Sequence, residues 1–389
     1  MPINPAIEEF VEDAREWRRD IHQNPELLYD VDRTSAFVAE KLKAFGCDEV
    51  ATGIGRTGVV GVIRGRLGSS DKTIGLRADM DALPIHETTN LPYRSKVEGK
   101  MHACGHDGHT AMLLGAARYL AKTRNFAGSA IVIFQPAEEG GAGAKAMIED
   151  GLMDRFGVAQ VFGMHNMPKL PVGSFAIRKG PFFAAGDRFT IEIEGQGGHA
   201  AYPHHCVDPL LAGAQIVNAL QAIVSRGVDP LDSCVVSVTR FEAGANFNVT
   251  PQSAQLLGTV RTFSAATQNY AERRLVEIAR GVGAAFGAKV EVRYERGYPA
   301  MRNHPDEADF AASVAAQIAG AEKVRTDTPP IMGAEDFSFM LEARRGAFIM
   351  LGNGDSAGLH DPKYDFNDAA LPYGMTYWAQ LVETALAAV

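Results

Sequence analysis

The chain has 389 residues, 46% of them hydrophobic and 22% charged, which suits a soluble globular protein of two domains rather than one core. Its net charge of −9 argues against a basic nucleic-acid-binding face, while a few local Arg residues could still bind a small anion. The opening Met-Pro-Ile-Asn-Pro-Ala-Ile-Glu-Glu-Phe lacks the basic and apolar regions of a signal peptide, and no segment approaches the ~20 apolar residues of a membrane span. Cys47, Cys104, Cys206 and Cys234 lie far apart with no paired spacing, so no disulfide framework is expected and the chain is expected to be cytoplasmic.

The first ~45 residues predict two helices. Ile7, Phe10, Val11, Ala14 and Trp17 recur at helical spacing, as do Phe37, Val38, Leu42 and Phe45, with Gly46 as a stop. Short apolar runs follow at Val59–Ile63 and Thr73–Leu76, then a helix from about Asp107 to Ala121. Ala130–Phe134 is apolar throughout, as a buried strand is. A helix over about Ala144–Asp150 and a strand Val161–Met164 leading into His165 complete the run. This alternation predicts an α/β domain with a mixed, largely parallel sheet flanked by helices.

The pattern changes near residue 185. Arg188–Glu194 alternates strictly, like a half-exposed antiparallel strand. Around it come a helix over about Asp208–Ser225, strands Cys234–Phe241 and Ala254–Phe263, a helix over about Gln268–Phe286 and a strand Lys289–Tyr294. The order βαββαβ is that of a ferredoxin-like α+β unit, here about 110 residues long. The chain then resumes helix–strand alternation, which predicts a discontinuous domain, 1–184 and 299–389, with 185–298 inserted.

The chemistry concentrates in His-Ala-Cys104-Gly-His106-Asp-Gly-His109, Gln-Pro-Ala-Glu138-Glu139, Gly-Met-His165-Asn and Leu-His360-Asp361. Thiolate, imidazole and carboxylate together suit Zn²⁺, Mn²⁺ or Co²⁺. Cys104 and His106 are too close in sequence to share a helix face, but a loop freed by Gly105 and Gly108 can converge them. An isolated Cys-x-His is more often a buried thiol beside a satisfied imidazole; the Glu pair and the strand-end His165 reverse that reading. A nucleophilic Cys104 would leave those groups idle. Of Glu138 and Glu139, one can bind metal while the other serves as a base toward water; an ordinary solvated pair is disfavoured by the buried run and Pro136 before it. Asp79 and Asp81, after another buried strand, suit the orientation of ligand imidazoles. His102 and His109 are candidates for the same role or for the core. His199, in Gly-Gly-His199-Ala-Ala-Tyr-Pro-His204, is either an exposed turn residue or a donor to an oxyanion. Asn248 and Arg261 could hold a substrate carboxylate, although spacing alone favours a surface salt bridge for the Arg. Phe182, Phe183, Met332 and Phe337 are candidates for an acyl pocket.

Taken together, Arg18-Arg-Asp-Ile-His-Gln-Asn-Pro-Glu26, Arg77-Ala-Asp-Met-Asp-Ala-Leu-Pro, the Cys104 segment, Gln135-Pro-Ala-Glu-Glu139, Gly198-His-Ala-Ala-Tyr-Pro-His204, Met332-Gly-Ala-Glu-Asp-Phe337 and Leu359-His-Asp-Pro362 resemble the aminoacylase/carboxypeptidase family of di-metal peptidases. The branch they resemble most contains hippurate hydrolases, indole-acetyl amino acid hydrolases and N-acetyldiaminopimelate deacetylases. The resemblance spans nearly the whole chain. It implies a metal-dependent amidohydrolase acting on N-acyl amino acids, with two divalent ions per subunit (Mn, Zn, Co or Ni). It implies metal ligands Cys104, His106, Glu139, His165 and His360, with Cys104 bridging, and Glu138 as general base. It further implies a homodimer built through the inserted domain, His199 reaching a partner's site, and Asn248 and Arg261 on the substrate carboxylate. Alternatives are a dipeptidase or carboxypeptidase of the same family, or a non-catalytic ligand-binding protein on this fold.

Overall fold

A computed structural model describes residues 3–68 and 70–388. Three helical pieces, rather than the expected two, open the chain: Pro5–Glu8, Val11–Gln23 and Asp32–Ala44. The break falls at Phe10, whose N–H turns back to the Ile7 carbonyl at 2.9 Å and closes the first piece tightly. Asn4 caps that piece by accepting the N–H of Ala6.

An eight-stranded sheet follows. In spatial order its strands are Glu49–Ile54, Gly58–Arg64, Ser129–Gln135, Thr73–Asp79, Gln160–Pro168, Arg345–Gly354, Phe175–Ala176 and Val324–Arg325. The central four are mutually parallel, and antiparallel pairings flank them on both sides, so the sheet is mixed. The parallel strands are apolar along most of their length because helices cover them; Ile131, Val132, Ile133 and Phe134 are all at most 1% exposed. Helix His106–Thr123 packs between helices Val11–Gln23 and Leu371–Ala385. Its burial on nearly every side explains why its sequence shows no clean polar face.

Parallel strands all present their carboxyl ends on one edge, where open α/β sheets gather their functional loops. Asp79 ends one strand and Glu138 follows the next, and these two strands are in register at Asp79 and Gln135. His165 lies beside Met350 in the register of the other central pair, and His360 follows the last of the four.

The chain divides into two compact units. One runs to Gly180 and includes Arg302–Pro329 and the chain from Asp336; the other is Pro181–Met301 with Pro330–Glu335. The boundaries expected from sequence leave residues 330–335 outside the insertion. They belong with it because the Ala184 N–H donates to the Ile331 carbonyl at 3.0 Å and Phe183 bridges to Ile331.

Within the second unit a four-stranded antiparallel sheet has the order Cys234–Ala243, Ser253–Thr262, Ala185–Glu194, Lys289–Tyr298. Helices Pro209–Gly227 and Ala265–Ala285 cover one face, burying Phe189, Ile191, Ile193, Ile216, Leu220, Leu256 and Leu275. Asp208 caps the first helix by accepting the Leu210 N–H at 2.9 Å, and Pro209 occupies its first position. The topology is the ferredoxin-like βαββαβ unit. Among the described residues no helix is long and apolar enough to cross a membrane.

Candidate metal centre

Cys104, His106 and His165 form one group whose ligand atoms all lie within 4.8 Å of one another; Cys104, Glu139 and His360 form a second, and His106, Glu138 and Glu139 a third. The groups share members and so make one continuous cluster. The Cys104 sulfur is 3.3 Å from His165 Nε2. His360 Nε2 is 3.2 Å from Glu139 Oε1, and His106 Nε2 is 4.0 Å from the same oxygen. His360 is half exposed, at 52%, whereas Cys104, His106, Glu138 and His165 are buried, so the cluster opens on the His360 side.

Two of the imidazoles, His106 and His165, are oriented by their second nitrogen. His106 Nδ1 donates to the Asp81 carbonyl at 2.8 Å, and His165 Nδ1 donates to the Asn166 carbonyl at 2.6 Å. A carbonyl can only accept, so Nδ1 carries the proton in both rings and Nε2 is turned toward the cluster. His109 differs. Its Nδ1 meets Asp79 at 2.6 Å, and its Nε2 accepts the backbone N–H of Asn166 at 3.0 Å. That lone pair is used, so His109 is a support of the cluster although it lies within reach of Asp79 and His106.

Gly105 makes the Cys104–His106 turn possible. Its φ is +86°, and a Cβ there would stand 2.3 Å from Asn166 Nδ2. Asn166 in turn donates to the Cys104 carbonyl at 2.7 Å and accepts from the Tyr364 hydroxyl at 2.6 Å. Sequence reasoning assigns Asn166 and Tyr364 no role: a lone Asn after a strand and a Tyr in a loop carry no spacing signal. Beneath them, the fully buried Arg77 donates to Asp79 at 2.7 Å, to Gln135 at 2.8 Å and to Asp336 at 3.0 Å.

The electrostatics are those of a site built for cations. Burial opposes ionisation of Asp79, but His106, Arg77 and His109 outweigh it and hold its carboxyl well below the usual range. Burial raises the Cys104 thiol well above its ordinary value, and Glu139, Glu138 and Asp79 add to that. Burial depresses His106, yet Asp79, Asp81 and Glu139 prevail and raise it to about 10. Burial pushes Asp81 up. His106 Nε2 is a buried atom without a hydrogen-bond partner, 3.6 Å from Asp79 Oδ2 and 4.0 Å from Glu139 Oε1, a costly arrangement that a cation bound there would relieve. The thiol, imidazole and carboxylate donors therefore fit divalent ions.

The sequence matches peptidase family M20/M25/M40 over residues 75–384. It is 44% identical over 381 residues to hippurate hydrolase of Campylobacter jejuni, covering 98% of each chain. The chain belongs to peptidase family M20/M25/M40. Another relative, N-acetylcysteine deacetylase of Bacillus subtilis, is 39% identical over 370 residues, covering 95% of this chain and 96% of the relative. A solved structure described as a dinuclear metal-binding peptidase of the M20 family from Bacillus subtilis superposes with a TM-score of 0.85 at 36% identity, covering 98% of this chain and 100% of that one. As an M20/M25/M40 member the protein is a hydrolase of amide C–N bonds.

The remaining residues singled out from sequence are in the second unit. His199 is exposed, pairs with Val249 in a two-residue strand, and accepts the Ala201 N–H on Nδ1 at 3.1 Å. The Asn248 carbonyl accepts the Ala200 N–H at 3.0 Å, tying the Asn248 and His199 segments together. Arg261 is half-buried on the strand Ser253–Thr262, donates to the Val260 carbonyl at 3.1 Å and to Thr259 Oγ1, and has its pKa lowered by burial. Among the described residues no carboxylate lies within ion-pair distance of Arg261, so the surface salt bridge that spacing favoured is absent. Two candidates for an acyl pocket are also corrected. Phe182 and Phe337 are fully buried, and Phe337 packs on Phe348 with ring centres 5.3 Å apart, so both belong to the core.

Proposed function

We propose that this M20 member hydrolyses N-acyl amino acids to a carboxylic acid and a free amino acid. The observation that carries the reading is the buried cluster in which His106 Nε2 has no hydrogen-bond partner while the ligand atoms of His106, Glu138 and Glu139 all lie within 4.8 Å of one another. Cys104, His106, Glu139, His165 and His360 would hold two divalent ions; these donors suit Zn, Mn, Co or Ni. When bound, such ions supply positive charge that acidifies water and polarises a carbonyl.

Glu138 accepts the proton of the attacking water and delivers it to the leaving nitrogen. Its backbone is held by Asp81, which keeps the carboxylate beside the cluster. His199, as a donor to the developing oxyanion, would contribute on the order of 3–4 kcal/mol. The Arg261 fork and the Asn248 amide bind the substrate carboxylate. In this reading His199 serves the site of a second copy, in a homodimer joined through the inserted unit. The four free thiols suit a reducing compartment such as the cytoplasm.

The deciding experiment is an assay of N-acetyl, N-benzoyl and indole-acetyl amino acids with each metal added to EDTA-stripped protein. Metal-restored release of free amino acid is expected. Turnover of dipeptides alone would replace this reading with a dipeptidase, and no turnover of either would leave a binding protein.

A further inference from the structure

Leu28 has a left-handed backbone, with φ +50°. That conformation costs a non-glycine residue on the order of 1–3 kcal/mol and persists only where the surroundings enforce it. Here they do. The Ala82 N–H donates to the Glu26 carbonyl at 2.8 Å, and Leu27 bridges to Ala82. On the other side the Ala137 N–H donates to the Leu28 carbonyl at 3.1 Å. The segment Glu26–Leu28 is thus tied on one side to the residue that follows Asp81 and on the other, through the Leu28 carbonyl, to the residue that precedes Glu138. Ala137 and His360 also have positive φ, at +55° and +65°, so three of the chain's strained non-glycine residues border the metal cluster.

The side chain on this fixed backbone is large, apolar and 41% exposed. Glycine or asparagine would take the same φ at less cost, and an exposed leucine adds little to folding. Its neighbour Tyr29 is anchored, with its hydroxyl donating to the Gly141 carbonyl at 2.7 Å and the Arg56 guanidinium 4.1 Å above its ring. The segment is therefore a rigid, partly apolar rim attached to both loops of the Asp81–Glu138–Glu139 arrangement.

We propose that Leu28 is a specificity-determining residue: it packs against the acyl group of the substrate and favours large apolar acyl groups over acetyl. The proposal rests on the N-acyl amino acid reading above. A leucine that is half in water in the free protein and covered by an aromatic acyl group in the complex stabilises that complex through burial alone. Acetyl is too small to cover it.

The test compares wild type with Leu28→Ala, Leu28→Asn and Leu28→Met on N-acetylglycine, N-benzoylglycine and indole-acetylglycine, with metal content and melting temperature measured alongside. Asn tolerates the left-handed backbone, so that variant separates side-chain contact from strain. The ratio of kcat/KM for benzoyl over acetyl should fall about tenfold in the Ala and Asn variants, with metal content kept, and stay near wild type in Leu28→Met. A ratio within twofold of wild type in both truncations overturns the role of Leu28 and leaves the amidohydrolase reading standing. Loss of metal in both truncations also overturns it, because Leu28 would then be a scaffold residue. Absence of wild-type turnover on every N-acyl substrate sinks the amidohydrolase reading itself, and this proposal with it.

Discussion

Asp81 accepts the backbone N–H groups of Glu138 and Glu139 on its two carboxylate oxygens, at 2.9 and 3.1 Å. One buried side chain thereby fixes two consecutive glutamates, each with a carboxylate oxygen within 4.8 Å of the other's and of a ring nitrogen of His106. In Asp81→Asn an NH2 group replaces one acceptor and faces an N–H donor. That variant should lose about 1–3 kcal/mol of stability for the orphaned donor, together with most of its turnover. Urea unfolding and kcat measured on the same preparation check this; unchanged values for both would show that the glutamate loop holds itself.

Glu138→Gln keeps the size of the side chain but removes the base. Metal content should match wild type while kcat falls about 10²–10⁴-fold. Near-normal turnover would end the role assigned to Glu138.

Cys104→Ser exchanges a soft thiolate for a hydroxyl at the centre of the cluster. The variant should lose metal occupancy, measured by elemental analysis after dialysis. Two tightly held ions and full activity in Cys104→Ser would refute a bridging thiolate.

Stability should also depend on pH through the pair His22 and Asp107, both fully buried, with His22 Nδ1 2.8 Å from Asp107 Oδ2. Burial disfavours a charged His22, as does Arg18, but Asp107 and Glu87 outweigh them and raise its pKa to about 9. Burial likewise opposes ionisation of Asp107, and His22, His102 and Arg18 outweigh it and lower its pKa. A raised histidine stabilises fully below its unfolded value of about 6.5, and that stability is lost as pH rises through about 9. A lowered carboxylate stabilises above its unfolded value of about 3.9 and loses that contribution in acid. Unfolding free energy should therefore decline between about pH 6.5 and 9, and His22→Gln should flatten that alkaline limb. An alkaline limb of unchanged slope in His22→Gln would assign it to other groups.

Much of the fold was legible because local pattern and final structure agree. The apolar run Ala130–Phe134 is of the kind found in a buried strand, and the strict alternation of Arg188–Glu194 marked a sheet covered on one face. The break at Phe10 was not legible, since the apolar spacing continues across it and only the Ile7 carbonyl's choice of partner ends the helix. Residues 330–335 carry no periodicity, and their pairing with Phe183 and Ala184 is decided by contacts distant in sequence.

The sequence by itself determined the donor types, the α/β and ferredoxin-like elements, and the family resemblance, because each is written in short-range spacing and residue chemistry. Only the tertiary structure decided which atoms face one another. Parallel strands put Asp79, Glu138, His165 and His360 at a common edge, Gly105 turned Cys104 and His106 inward, and the Asn166 N–H took up the lone pair of His109. The tautomer and free lone pair of each histidine depend on a hydrogen bond to a partner that is adjacent in sequence for His165 and far away for His109, and spacing along the chain does not encode that choice.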